Sequence, residues 1–380
     1  MVDAYQGKTH EYNFLHYCLF VTFFPQLIAG PIVHHREMLS QFKENSIYQF
    51  CQSNFSIGIT ILIIGLFKKV VIADGVSVYV SPVFDAASDG TLISFADAWT
   101  ASLAYTFQLY FDFSGYSDMA IGIARLFGIH LPLNFNSPYK SINIIEFWRR
   151  WHMTLSRFLR DYLYFPLGGN RHGMIRRYIN LILVMIIGGF WHGAGWSFIL
   201  WGALHGFYLI LNHFWHVIQG RIGFDADTQW FWTRCFSVLA TFIAVIIAWV
   251  FFRATDFSSA TEILKGMAGL NGYPLSSFYL EKLEPLVKSS FVQIFYWKLT
   301  PSQLIISSLT PLFLIIWFAP NTQQILSNFK PTTDTDNNQI EEQSFIVWQP
   351  TLFYALITAA IGAWAILSLG GVTEFLYFQF

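Results

Sequence analysis

The sequence is poor in charge. Only 12% of its 380 residues are Asp, Glu, Lys or Arg, against about 25% in a typical soluble domain. With 54% hydrophobic and 19% aromatic residues, a soluble chain of this size would expose large apolar patches and aggregate. These proportions exclude an ordinary soluble enzyme, a disordered chain and a secreted disulfide scaffold. They indicate a protein that uses lipid as its solvent.

Cysteine is also scarce, and neither sign of charge is in excess. Cys18, Cys51 and Cys235 are far apart, so we expect neither a disulfide framework nor a metal site. The 22 basic and 23 acidic residues leave a net charge of -1. The chain therefore lacks the overall basic character that indicates a nucleic-acid partner.

Long charge-free stretches fill much of the chain. Crossing about 30 Å of hydrocarbon takes roughly 20 apolar residues in a helix. The longest stretch lies between Arg177 and Arg221 and has 43 uncharged residues, enough for two spans with a turn near residues 193–195. Another, at 50–67, is bounded by Lys68 and Lys69. The pattern predicts an all-α, polytopic transmembrane helical bundle of about seven to nine spans. The other stretches lie at 12–35, 98–111, 235–252, 303–320 and 350–372.

Residues 131–180 form a basic block with a net charge of +6. By the positive-inside rule, such a block faces the cytoplasm. Its arginines alternate with Trp, Phe and Leu at helical spacing, which is typical of interfacial or re-entrant helices rather than of a span. The run at 330–343 contains Pro, Asn and acidic residues and predicts a solvated polar loop.

His192 lies deep in the longest uncharged stretch, within GGFWHGAGW. A neutral imidazole has one acceptor nitrogen and can take a proton. The glycines around it allow a substrate to come close, and we expect Trp191 and Trp196 to wall that space. The alternative is a histidine that packs between helices and hydrogen-bonds across them, with the glycines serving close helix contact.

His152 lies at the centre of the basic block, directly after Trp151. Arg149, Arg150 and Arg157 are suited to hold the phosphates of a nucleotide-like or phosphopantetheine donor. Their spacing alone favours the alternative, in which these arginines bind anionic lipid headgroups or only fix the topology.

The motif YFDFSGYSDMAIG places Asp112, Ser114 and Asp118 in apolar surroundings. Carboxylates at that depth need partners, and an arginine of the basic block or a histidine is the expected one. The motif therefore has two interpretations. Its polar residues bind a substrate or line a channel, or its aspartates belong to a structural ion pair.

Several segments together resemble a known family. They are FFPQLIAGPIV, FQLYFDFSGYSDMAIGIARLFGI, PLNFNSPYKSINIIEFWRRWHMTLSRFLRDYLYFPLGGNR, GGFWHGAGWSFILWGALHG and FLYFQF. They resemble the membrane-bound O-acyltransferase family, most closely its alginate O-acetylation branch, with the teichoic-acid D-alanylation proteins more distant. The resemblance matches His192 to the family's near-invariant histidine and His152 to its second histidine.

The resemblance implies a single membrane domain over residues 1–380 of a multi-pass protein of the bacterial inner membrane. It implies transfer of acetyl from acetyl-CoA or another thioester to an exopolysaccharide or a periplasmic relay protein, with His192 as general base and His152 assisting. Expected partners are membrane lipid and periplasmic acetylation or export proteins, with no nucleic acid and no tightly bound cofactor. Family members usually carry further helices before the segment that begins here at Met1, which leaves open a truncated form of the domain.

Two other functions remain open from the residues. In a transporter or channel, the histidines would line a proton or substrate path across the membrane. In a scaffold subunit of an exopolysaccharide export complex, both histidines would be dispensable.

Overall fold

The computed structural model describes residues 2–7, 13–222, 230–272, 301–333 and 344–370. These residues fold into helices and connecting segments, with no strand among them, which confirms the predicted all-α class. Three helical stretches in this part of the chain are long and apolar enough to cross a bilayer: Gln52–Ser77, Gly173–His192 and Phe231–Arg253. Ser307–Phe318 and Leu352–Leu367 are apolar but shorter. The larger number of spans expected from the sequence stays a prediction.

The described residues contain the following α-helices, in chain order. They are α1 (Val2–Tyr5), α2 (Phe14–Thr22), α3 (His35–Phe42), α4 (Gln52–Phe67), α5 (Asp74–Ser77), α6 (Ser81–Ser88), α7 (Phe95–Leu126), α8 (Ile144–Arg150), α9 (Met153–Leu159), α10 (Gly173–His192), α11 (Trp196–Ile222), α12 (Phe231–Arg253), α13 (Phe257–Met267), α14 (Pro301–Phe318), α15 (Thr322–Ile325) and α16 (Leu352–Leu367). The buried helix α7 lies at the centre of the larger hydrophobic core.

The first uncharged stretch, residues 12–35, does not form the single spanning helix that its composition predicts. Helix α2 has nine residues, a length of about 14 Å, which is half of the hydrocarbon thickness. A 3-10 turn containing Pro25 follows it. Proline lacks the N–H that would continue a helix, so the chain leaves the helical conformation here.

Helices α10 and α11 form a tight hairpin, and its turn lies at residues 193–195 as the sequence predicts. A Cβ atom on Gly202 would overlap the carbonyl oxygen of Met185, and one on Gly189 would overlap that of Phe198. The two glycines therefore let the helix backbones approach closely, as small residues do in membrane helix pairs. The hairpin holds His192, the last residue of α10, against α11.

The charges of Lys68 and Lys69 predict the end of the helix that begins at Gln52. The helix does not end there. It continues through a π-helical turn, Lys68–Ala73, to Ser77. Lys68 Nζ lies 2.6 Å from a carboxylate oxygen of Asp118, and Lys69 Nζ lies 2.8 Å from one of Asp112. Buried charges are tolerated when they are paired in this way.

The prediction that an arginine of the basic block or a histidine pairs with these two aspartates is therefore wrong. Lysines of the neighbouring helix, rather than an arginine of the basic block or a histidine, compensate the carboxylates of α7. The physical reason is proximity, because a π-helical turn brings two consecutive lysines of one helix beside two carboxylates one helical turn or more apart on another.

The basic block folds into short elements. Helices α8 and α9 have seven residues each, about 10 Å in length, too little to cross a membrane. Its cytoplasmic orientation stays a prediction. Of the predicted polar loop, residues 334–343 lie outside the described residues, as does the closing FLYFQF.

Candidate active site

His152 and His192 line the same buried pocket, although forty residues separate them in the sequence. The pocket has a volume of about 10 Å³, room for about one water molecule. Its remaining wall is almost entirely aromatic and aliphatic: Leu109, Trp148, Trp151, Leu155, Trp201, Trp249 and Phe252. Two imidazoles in a closed, apolar pocket form a site at which protons and charge are shielded from water.

His192 is buried among aromatic rings at the end of α10. Its ring lies edge-on to Trp201 and Phe252, with centroids 5.3 and 5.1 Å away. Trp191 and Trp196, the tryptophans expected to wall the space, are 57% and 82% exposed and are not part of the pocket lining. Trp191 meets the His192 ring edge-on, with centroids 5.0 Å apart, but tryptophans of other helices form the wall of the pocket.

His152 lies at the corner between α8 and α9, with a left-handed backbone conformation at φ 41° and ψ 54°. Two backbone hydrogen bonds hold this corner against the connecting segment 134–136: Asn136 N–H donates to Arg150 O at 2.9 Å, and Met153 N–H donates to Asn134 O at 3.0 Å. The connecting segment thereby fixes where the His152 side chain enters the pocket.

A side-chain hydrogen bond sets the tautomer of His152. Asn134 Nδ2 donates to Ser117 Oγ at 3.1 Å, so its Oδ1 is the atom that accepts from His152 Nδ1 at 3.0 Å. Thr154 Oγ1 donates to the same oxygen at 2.9 Å. Since Nδ1 carries the proton, Nε2 is the acceptor nitrogen of the neutral ring.

Burial keeps this ring neutral. Loss of hydration lowers the pKa of His152 well below its ordinary value, and the nearby His192 lowers this pKa further. A charged imidazolium is disfavoured in such surroundings. His152 is therefore a neutral hydrogen-bond acceptor at physiological pH.

A second, open cavity of about 660 Å³ lies beside the pocket. This volume is in the range of small-molecule sites. Four arginines contribute to its lining: Arg149, Arg157, Arg160 and Arg177. Trp148 belongs to the lining of both the cavity and the pocket.

The arginines predicted from the sequence divide into two groups. Arg149 and Arg157 line the open cavity, whereas Arg150 does not and instead pairs with Glu146 at 2.8 Å. Arg157 forms a bidentate pair with Glu37, at 2.8 and 3.1 Å. Within the part of the chain that the structure describes, Arg149 has no ion-pair partner. Arg149 is thus the predicted arginine with its charge available to a ligand.

Trp151 lines the histidine pocket, where its ring stacks on Phe147 with centroids 5.7 Å apart. Asp112, Ser114 and Asp118 are buried but line neither the pocket nor the cavity. The two aspartates belong to the lysine pairs between α4 and α7, so the structure favours the structural alternative for them. Among the described residues, no group of three His, Cys, Asp or Glu is placed to hold a metal ion.

Sequence reasoning missed several residues of this site. Asn134 lies in PLNFNSPYK, a segment noted for its resemblance but not for its chemistry. Trp148, Trp201 and Trp249 come from three different helices, and no spacing in the sequence connects them.

A family model described as MBOAT, membrane-bound O-acyltransferase family, matches residues 2–255. This chain belongs to that family. The match covers both histidines and confirms the resemblance seen in the motifs.

Three relatives are named for acyl transfer to cell-wall or exopolysaccharide polymers. Over 272 residues, the chain is 54% identical to the peptidoglycan O-acetyltransferase of Helicobacter pylori, across 72% of this chain and 50% of that protein. It is 36% identical to the probable alginate O-acetylase AlgI of Pseudomonas putida over 384 residues, across 100% of this chain and 72% of that protein. Identity to the teichoic acid D-alanyltransferase of Bacillus subtilis is 27% over 265 residues, across 68% of this chain and 66% of that protein. The chain thus spans half the length of the peptidoglycan O-acetyltransferase.

Proposed function

We propose that this chain is an O-acyltransferase that moves an acetyl group from an acyl thioester to a hydroxyl group of a glycan. The observation that carries the proposal is the meeting of His152 and His192 in one closed pocket, beside an arginine-lined cavity. A pocket of this kind positions a base, and the cavity supplies charges for the phosphates of a donor such as acetyl-CoA.

In the proposed reaction, His192 acts as the general base. Its neutral imidazole accepts the proton of the acceptor hydroxyl while that oxygen attacks the thioester carbonyl carbon. The resulting tetrahedral intermediate collapses, the carbon–sulfur bond breaks, and the thiolate takes the proton from His192. The products are the O-acetyl ester and the free thiol, and His192 returns to its neutral form.

His152 assists by orienting a substrate rather than by donating to the oxyanion. Its Nδ1–H is used by Asn134, so the nitrogen that remains for a substrate is an acceptor. An acceptor repels a developing negative charge but holds an O–H or N–H group of a substrate in place.

The finer assignments follow the names of the relatives and the charge pattern. We propose a donor that enters from the cytoplasmic side through the arginine-lined cavity, and an acceptor that is a cell-wall glycan, an exopolysaccharide or a periplasmic relay protein. Relatives named for peptidoglycan and for alginate support the glycan class. The proposed location is the bacterial inner membrane, with membrane lipid and periplasmic acetylation or export proteins as partners and no tightly bound cofactor.

Label transfer tests the proposal. The full chain is reconstituted in vesicles with acetyl-labelled CoA, and peptidoglycan fragments or alginate oligosaccharides are offered as acceptors. We expect labelled ester in the wild type and none with His192→Ala. His172→Ala is the control, because that exposed histidine lies outside the pocket and the cavity. Substrate flux without a covalent product would favour a transporter, and full transfer by His192→Ala would exclude His192 as the base.

A further inference from the structure

Trp148 stands between the open cavity and the histidine pocket. It lines both spaces and is itself buried. The pocket holds about one water molecule, which is less than an acetyl group needs. A thioester carbonyl in the cavity therefore reaches the histidines only if the wall between the two spaces moves, and the Trp148 indole is part of that wall.

One hydrogen bond ties this indole to the neighbouring helix. Trp148 Nε1–H donates to His205 Nδ1 at 3.3 Å, and the two rings meet edge-on with centroids 5.1 Å apart. His205 belongs to α11 and is 0% exposed. The indole is thus anchored to the hairpin that also carries His192.

The second ring nitrogen of His205 indicates which polar interaction this residue makes. Because Nδ1 accepts, the neutral ring carries its hydrogen on Nε2. That Nε2 is buried and has no hydrogen-bond partner among the described residues. Burying an unmatched donor is unfavourable, so the tie to Trp148 is the polar interaction that the histidine provides at this position.

We propose that Trp148 is a gate between the cavity and the pocket, and that His205 is the positioning residue that limits how far this gate opens. A short acyl group passes with a small displacement of the indole. A longer chain requires a displacement that breaks the hydrogen bond to His205, so the pair restricts the donor to short acyl groups. This inference rests on the proposed acyl transfer, since it concerns which donor the same pocket admits.

Acyl-chain selectivity tests the gate. His205→Leu removes the hydrogen-bond acceptor of the Trp148 indole and keeps a side chain of similar volume. His205→Asn keeps an amide oxygen near the position of Nδ1. We expect the ratio of kcat/KM for butyryl-CoA to that for acetyl-CoA to rise about tenfold in His205→Leu, the scale on which an apolar pocket discriminates chain length. We expect the ratio to return toward the wild-type value in His205→Asn, and to rise in Trp148→Phe.

The matched control is Trp99→Phe. The indole of Trp99 also donates one hydrogen bond, to Met267 O at 3.0 Å, but it lines neither space. Its removal leaves the acyl-chain ratio unchanged. An unchanged ratio in both His205→Leu and Trp148→Phe overturns the gate, as does an equal rise in Trp99→Phe.

A second measurement needs no catalysis. Leu155 lines the inner pocket but not the open cavity, so Leu155→Cys reports access to the pocket once Cys18, Cys51 and Cys235 are replaced by serine. We expect N-ethylmaleimide to label this cysteine about tenfold faster when His205→Leu or Trp148→Phe is added. Equal labelling rates overturn the gate. Faster labelling in a protein that transfers no acyl group would support the gate and refute the proposed function, so the two failures are distinguishable.

Discussion

Asn134 accepts the Nδ1 hydrogen of His152 at 3.0 Å, and this contact decides which nitrogen of the imidazole is available to a substrate. The asparagine is itself held by Ser117 and Thr154, so its oxygen has a fixed direction. A histidine oriented by an amide oxygen is a recurring arrangement in acyl-transfer sites. Here the orienting residue comes from a connecting segment without regular secondary structure, whereas His152 lies at a corner between two helices.

Asn134→Leu is expected to lower kcat by about tenfold to a hundredfold, since a misdirected catalytic group loses much of its contribution. The donor KM should change little, because Asn134 lines neither the pocket nor the open cavity. Steady-state kinetics of label transfer measure both constants. Asn134→Asp, which keeps an acceptor oxygen, should recover part of kcat, and a loss of kcat equal to that of Asn134→Leu would argue against orientation of His152.

Arg149 and Arg150 are neighbours with different surroundings, and they form a matched pair for the donor site. Arg149→Gln should raise the KM of acetyl-CoA about tenfold or more, the cost of one charge-assisted hydrogen bond. Arg150→Gln should leave this KM near the wild-type value, because Arg150 is paired with Glu146 outside the cavity. Equal effects of the two substitutions on this KM would contradict donor binding by Arg149 and would indicate that both arginines act only in membrane topology.

The ion pairs between α4 and α7 predict a large loss of stability when one partner is removed. Lys69→Met leaves the carboxylate of Asp112 buried without its cation, which costs about 3–5 kcal/mol. Adding Asp112→Leu to Lys69→Met should recover part of that loss. Thermal unfolding in detergent measures the change. Lys265→Met serves as the control, since the Lys265 side chain is half exposed and its ion pair with Glu262, at 3.6 Å, contributes about 1 kcal/mol or less.

The α10–α11 hairpin offers a test of backbone approach with its control in the same helix. Gly202→Ala places a methyl group against the carbonyl of Met185 and should destabilise the protein by about 1–3 kcal/mol, with loss of transfer because His192 shifts. A Cβ on Gly220 would meet no atom within 4 Å, so Gly220→Ala should be neutral or slightly stabilising. Thermal unfolding and label transfer compare the two variants, and equal stability would show that the helices separate without cost.

Features that depend on local composition could be predicted from the sequence. The hairpin that turns directly after His192 follows from an uncharged stretch twice the length of a span, with small residues between its two halves. The short helices of the basic block follow from arginines mixed with apolar residues. The role proposed for His152 is suggested by the family resemblance, because spacing alone does not distinguish it from an interfacial histidine.

Features that depend on contacts between distant segments could not be predicted. The charges of Lys68 and Lys69 indicate the end of a helix, since a single sequence does not show that two carboxylates of another helix neutralise them. The tryptophan wall likewise comes from three helices. Trp191 and Trp196 lie within four residues of His192 in sequence, but both are mostly exposed. The Trp191 ring meets the imidazole edge-on with centroids 5.0 Å apart, whereas the tryptophan that contacts the imidazole inside the pocket is Trp201.

The small volume of the histidine pocket also limits hydrolysis as a side reaction. Hydrolysis competes with every transfer from a thioester, because water is a nucleophile present at far higher concentration than any sugar hydroxyl. The pocket has room for about one water molecule and is walled largely by tryptophan and phenylalanine. Few water molecules can therefore reach the histidines. In the proposed acyl transfer, this protects the thioester donor from hydrolysis until the acceptor hydroxyl enters the pocket.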